Sequence, residues 1–234
     1  MIAPLAPYAI KGAIWYQGES NADRPYHYRH VLAAMIKNWR DTFGQGDFPF
    51  LIVELAPFMD IRTEPVDEEW AVVRESQQWV ANNLAKVDTV SIVDVGDVKD
   101  IHPVKKQPVG ERLATAARVH AYGETIAPAG PEFDSVTFNG NEAIVKFKNV
   151  GTGLIAKDGE IKGFTIVGED KKFHNAKARI DGETVIVSAD DVAAPQAVRF
   201  GWANFPVVNL WNKDGHPASP FRTDQWEVVK QSAK

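Results

Sequence analysis

His102 stands in Asp100-Ile101-His102-Pro103, a segment that follows an apolar run and precedes a helix-period stretch. An imidazole titrates near neutral pH and can take a proton from a hydroxyl and return it to a leaving group, so His102 is the candidate general base. The plain alternative is a loop histidine bonded to its own backbone. A second cluster, Gln17-Gly18-Glu19-Ser20-Asn21, puts two amides, a carboxylate and a hydroxyl between another apolar run and a helix-period stretch. Glu19 reads either as a general acid or base, or as an acceptor that fixes the loop. Gly18-Glu19-Ser20 imitates the start of a GxSxG nucleophile elbow, but Ala22 stands where the second glycine belongs, so Ser20 is either a nucleophile or a polar turn residue. Asp94, Asp97 and Asp100 lack the ligand spacing and turn glycine of a calcium loop, and no metal or cofactor is expected. His27, His30, His120, His174 and His216 are given no role.

The elements that must position these loops are legible in the first half. Gly12–Tyr16, Phe50–Leu55 and Val90–Val95 are near-continuous β-prone runs, the pattern of parallel strands covered on both faces. Tyr28, Leu32, Met35, Ile36, Trp39 and Phe43 recur at helical spacing behind Pro25, with Asn21 and Asp23 as cap candidates. Trp70 to Leu84 and Val109 to Ala117 carry two further helical stripes, the last ahead of Gly123. The order is βαβαβα, and in such sheets ligands bind beyond the C-terminal ends of the strands. The loops bearing Gln17 and His102 should therefore approach each other. Three strands are few for two-sided apolar runs, and the sheet reads as one completed from outside, by an N-terminal fragment or a second subunit.

After Ala127-Pro128-Ala129-Gly130-Pro131 short β runs are punctuated by Gly, Asn, Asp and Pro, which predicts an antiparallel sandwich. Two domains are expected, residues 1–126 and 127–234, within a chain of 234 residues. The net charge of -5, without long runs of one sign, offers no footprint for nucleic acid or an anionic membrane. No apolar run reaches the ~18 residues of a membrane span. The absence of Cys excludes disulfides, thiolate nucleophiles and sulfur-ligated zinc. Residues 1–7 lack the basic start and long apolar stretch of a signal peptide, so either the protein is cytoplasmic or its natural N-terminus lies upstream.

Three separated motifs in one order resemble the sialate O-acetylesterases, an SGNH-type branch of carbohydrate esterases related to acetylxylan esterases. They are Trp15-Tyr16-Gln17-Gly18-Glu19-Ser20-Asn21-Ala22; Asp100-Ile101-His102-Pro103 with Lys106, Gly110 and Arg112-Leu113-Ala114; and Val198-Arg199-Phe200-Gly201-Trp202 with Pro217-Ala218-Ser219-Pro220-Phe221-Arg222-Thr223-Asp224. The resemblance implies a partial SGNH-type α/β/α parallel sheet followed by an antiparallel β-sandwich. It implies removal of acetyl esters from sugar hydroxyls by a Ser/His mechanism without metal. His102 matches the base, and the block from Gln17 to Asn21, with Gly18, matches the lining of the site, Gln17 being the candidate oxyanion donor and Glu19 its support. The family nucleophile lies upstream in a GQSNM-like segment that this sequence does not contain, so the chain reads as a C-terminal portion, inactive by itself. Related enzymes often carry Asp three residues before the His; here that residue is Lys99, so either Asp100 or a backbone carbonyl orients His102. Arg74 is the candidate contact for an acidic sugar, against the plain reading of a surface ion pair. The rival function is a non-catalytic carbohydrate-binding or assembly module with Phe205, Trp211 and Trp226 as stacking surfaces.

Overall fold

The structure is a computed structural model and describes residues 2–229. Three parallel strands, β1 (Ala13–Trp15), β2 (Phe50–Val53) and β3 (Val87–Val90), lie in the order β1-β2-β3. They alternate with α1 (Pro25–Phe43), α2 (Glu69–Asn83) and α3 (Gln107–His120). Side chains alternate across the pleat, so β2 and β3 each feed two cores. Phe50 and Ile52 pack with Tyr28, Leu32 and Ile36 of α1 and Trp70, Val73 and Val80 of α2. Leu51 and Val53 pack with Val109 and Ala116 of α3. The result is a helix, sheet, helix layering in which β2 is buried throughout.

The third strand begins and ends earlier than the apolar run Val90–Val95 suggests. Val87–Val90 takes the register against Phe50–Val53. Ser91 to Val95 remain largely apolar and packed, but they turn: Val95 N–H donates to Ile92 O, and Arg112 holds Ser91 O and both carboxylate oxygens of Asp94. Apolarity there reports burial rather than strand geometry. The caps expected for α1 also differ, because the N-cap is Arg24 with no side-chain cap bond, while Pro25 opens the helix and Gly44 closes it in the left-handed region at φ 63°.

Among the described residues β1 pairs only with β2. Ile14 faces the α3 side of the sheet, yet α3 lies over β2 and β3, and Ile14 is 67% exposed. Ile14 is thus an exposed apolar residue on a strand that lies at the edge of the sheet among the described residues.

Beyond the connector 121–131 the chain is all β: β4 (Glu132–Asn139), β5 (Glu142–Lys148), β6 (Leu154–Ala156), β7 (Phe164–Val167), β8 (Phe173–Asn175), β9 (Lys177–Asp181), β10 (Thr184–Ser188), β11 (Ala197–Phe200), β12 (Leu210–Asn212) and β13 (Phe221–Arg222). Two four-stranded antiparallel sheets, β4-β5-β10-β9 and β13-β11-β7-β8, enclose a core built from Val145, Phe147, Val185 and Val187 of one and Phe164, Ile166, Val198 and Phe200 of the other. β6 and β12 form a separate pair.

The sandwich is fastened to α2 by polar groups. Asn204 accepts the Trp70 N–H at 3.0 Å and gives its own N–H to Glu68 at 2.5 Å, which satisfies a donor at the start of the helix. Arg222 forks onto Glu75. Arg199 bonds Asp224 and reaches Asp67. These contacts hold the α/β layer and the sandwich in one orientation.

Candidate active site

The loop after β1 enters a single turn of 3-10 helix at Glu19–Asn21. Gly18 sits at φ 148° and is buried; a Cβ there would press on Val73, Leu55 and the Tyr28 hydroxyl, so this backbone needs glycine. Gln77 anchors the loop from α2: its Oε1 accepts the Leu55 N–H at 3.2 Å while its Nε2 donates to Val53 O and Gln17 O. The Tyr28 hydroxyl contacts Gln17 O at 2.9 Å and Gln17 Oε1 at 3.0 Å, and Gln17 Nε2 donates to Asn21 Oδ1 at 2.9 Å. Burial pushes the Tyr28 phenol up to about 12, so it is a protonated donor at neutral pH. The support expected of Glu19 comes instead from Asn21 and Tyr28. Glu19 acts on this corner by charge, raising the nearby Tyr16 and Tyr28 phenols after the larger effect of burial. Ser20 is exposed on the short turn.

The loop after β3 lies at the same end of the sheet. Asp97 N–H donates to Pro57 O in the β2 loop. Ile101 packs against the cluster that contains Tyr28 and Leu55. Lys106, at the head of α3, lies 5.2 Å from the centre of the Tyr16 ring. The two motif loops are thus neighbours through Ile101 and Lys106. His102 itself turns outward, its side chain 87% exposed. Asp100 Oδ1 accepts the main-chain N–H of His102 at 2.8 Å and stands 3.8 Å from Nδ1, beyond hydrogen-bond reach. Asp100 therefore shapes the turn rather than gripping the ring in this conformation. The other acids of the loop are similarly occupied: Asp97 accepts the N–H groups of Lys99 and Asp100, and Asp94 grips Arg112.

Arg74 requires a correction. It is 0% exposed, and its guanidinium donates to Leu55 O, Ala56 O, Ala203 O and Asn204 O. A side chain enclosed on all sides by carbonyls does not reach a sugar; it joins the β2 loop to the sandwich. The helical stripe signalled that this position faces inward, but charge argued for the surface.

Sequence reasoning passed over Glu54, the residue after β2. It is 0% exposed, its Oε1 accepts from Gln78 at 2.9 Å and Thr89 at 3.0 Å, and Oε2 has no partner among the described residues. Burial pushes its carboxyl up to about 7 against the opposing hydrogen bonds and Arg74. From the ordinary value of 4.5 to about 7 the folded protein keeps a proton that the unfolded chain releases. This group's stabilisation is therefore complete below that range and is lost as pH rises through it. Thermal melts of Glu54→Gln and the parent protein across about pH 4 to 8 should show a flatter dependence in the variant; parallel curves would refute the shift.

Glu54's two partners line a cleft of about 490 Å³ between α2, β3 and the sandwich, where His120 Nε2 meets Asp88 at 2.6 Å and Lys148 meets Glu132. Neither His102 nor Gln17 lines it.

A family profile described as carbohydrate esterase, sialic acid-specific acetylesterase, matches residues 3–118. A solved carbohydrate acetylesterase from Xanthomonas citri is 46% identical at a TM-score of 0.89, over 95% of this chain and 52% of that one. The chain belongs to the sialate O-acetylesterase family. The sialate O-acetylesterase of Homo sapiens is 34% identical over 143 residues, 53% of this chain and 27% of its own length. That of Mus musculus is 34% identical over 139 residues, 53% and 26% respectively. The chain thus spans about a quarter of these curated sialate O-acetylesterases and about half of the solved relative. The binding-module reading is not favoured by this kinship or by its aromatics. Trp211 is buried with Lys157 and Arg112 beside its ring, and Trp226 packs on Phe173.

Proposed function

We propose that this chain supplies the histidine and the oxyanion-side loop of a serine-type carbohydrate O-acetylesterase. The serine comes from a GQSNM-like segment on an N-terminal fragment or second subunit that also adds strands to the open rim of β1. In this reading the serine attacks the acetyl carbonyl, His102 takes its proton and returns it to the departing sugar oxygen, and Gln17 with backbone amides holds the tetrahedral oxyanion. Water then releases acetate by the same steps. The observation that carries the reading is the meeting of the two motif loops at one end of the sheet, through Ile101 and Lys106, within a family of carbohydrate esterases.

The test measures acetate release from O-acetylated sialic acid, acetylxylan and p-nitrophenyl acetate. The chain is assayed alone and with a polypeptide carrying the serine segment. Background rates alone and hydrolysis after complementation are expected. Glycan binding without hydrolysis in both arms would refute the proposal and return the binding-module reading.

A further inference from the structure

We propose that Tyr28 is a positioning residue that fixes which end of the Gln17 carboxamide faces the reacting group; the inference rests on the oxyanion role proposed for Gln17. A carboxamide has a donor end and an acceptor end of nearly equal shape, and only its hydrogen-bond partners decide between them. Two donor-only groups constrain the network here. The Leu55 main-chain N–H points at Gln77 Oε1, 3.2 Å away, so the Gln77 Nε2 end must donate, and one of its bonds goes to Gln17 O at 3.1 Å. The Trp15 indole N–H points at the Tyr28 oxygen, 3.3 Å away, so that oxygen accepts there and has its single proton left to give. Gln17 O, 2.9 Å from the phenol, already receives a proton from Gln77, whereas Gln17 Oε1 has no other donor among the described residues, and in the proposed network the phenol proton goes to Oε1 across 3.0 Å.

The consequence reaches the far end of the side chain. With Oε1 turned toward Tyr28, Nε2 faces Asn21, gives one N–H to its Oδ1 at 2.9 Å, and keeps a second N–H with no partner among the described residues. An unspent N–H on an otherwise immobilised amide is what stabilises an oxyanion without reorganisation during the reaction. Tyr28 is buried on α1, and burial keeps its phenol protonated throughout the neutral range, so the donor is always present. A flipped amide would present its oxygen to the developing negative charge instead.

The kinetic test is a double-mutant cycle of Tyr28→Phe and Gln17→Ala in the enzyme completed by its serine segment. Tyr28→Phe should lower kcat about twofold, because loss of one neutral hydrogen bond takes the two amide orientations from about ten to one towards parity, with KM nearly unchanged. In the Gln17→Ala background, which has no amide to orient, the same substitution should leave kcat unchanged. Equal losses in both backgrounds, or no loss in the parent, would overturn the proposal. A Gln17→Ala enzyme with the parent rate would instead refute the oxyanion role. The orientation is then decided on the chain alone by NMR, with the carboxamide signals identified through Gln17→Glu. Nuclear Overhauser contacts from the Nε2 protons that are stronger to Asn21 than to the Tyr28 hydroxyl support the network, and the reverse order overturns it, whether or not Tyr28→Phe folds.

Discussion

Replacing His102 by alanine is expected to lower acetyl release by the completed enzyme by about 10³-fold or more, because without its base the serine hydroxyl is left undeprotonated at neutral pH. The same substitution should leave the melting temperature almost unmoved. His102 is exposed and makes no side-chain hydrogen bond that the fold uses, and surface changes of this kind stay within about 0.5 kcal/mol. Loss of activity with stability intact separates a catalytic histidine from a structural one, and parent-like turnover by His102→Ala would end the enzymatic assignment of this loop. Asp100→Ala provides the matching contrast. Asp100 bonds the His102 main-chain N–H rather than Nδ1, so its removal should loosen the turn and cost far less in rate than loss of the imidazole. An equal loss would show that the carboxylate swings onto the ring during turnover.

Arg74→Ala is expected to destabilise the protein by at least about 3 kcal/mol, since three buried carbonyls and the half-buried Ala203 carbonyl lose their donor together. For a chain of this size that corresponds to a fall in melting temperature of about 6 to 12 °C. Arg74→Lys should recover little, because one ammonium cannot span acceptors spread around a planar fork. Because Ala203 and Asn204 belong to the sandwich and Leu55 and Ala56 to the β2 loop, the variant should also loosen the joint between the layers. Faster amide exchange in the β2 loop and around residue 204 would register that loosening. A melting temperature within 2 °C of the parent, the least shift that about 1 kcal/mol produces, would show that water replaces the guanidinium at no cost.

Strand and helix order, the antiparallel second half and the two motif loops were legible in the sequence because each is written in local periodicity. Pro25 and Gly44 mark the ends of α1 by their own backbone preferences, and Phe50 to Val53 announce a strand buried on both faces. The third strand was harder, because Ser91 to Val95 are as buried as a strand and yet bend around Arg112. The partners of polar side chains were harder still. Gln77 reads as one more residue on a helical stripe, but it holds together three stretches of backbone.

The sequence by itself determined the kinds of chemistry available: a histidine and an amide-rich bend at strand ends, no thiol, and a β-rich second half. Only the tertiary structure decided how the charged and amide groups are used. It turned Arg74 inward to join two layers, buried Glu54 with an oxygen that has no partner among the described residues, and assigned the bracing of Gln17 to Tyr28 and Asn21 instead of Glu19. Local spacing fixes which way a side chain points from its own helix or strand, whereas hydrogen-bond partners are set by the packing of segments far apart in the chain, which no local pattern encodes.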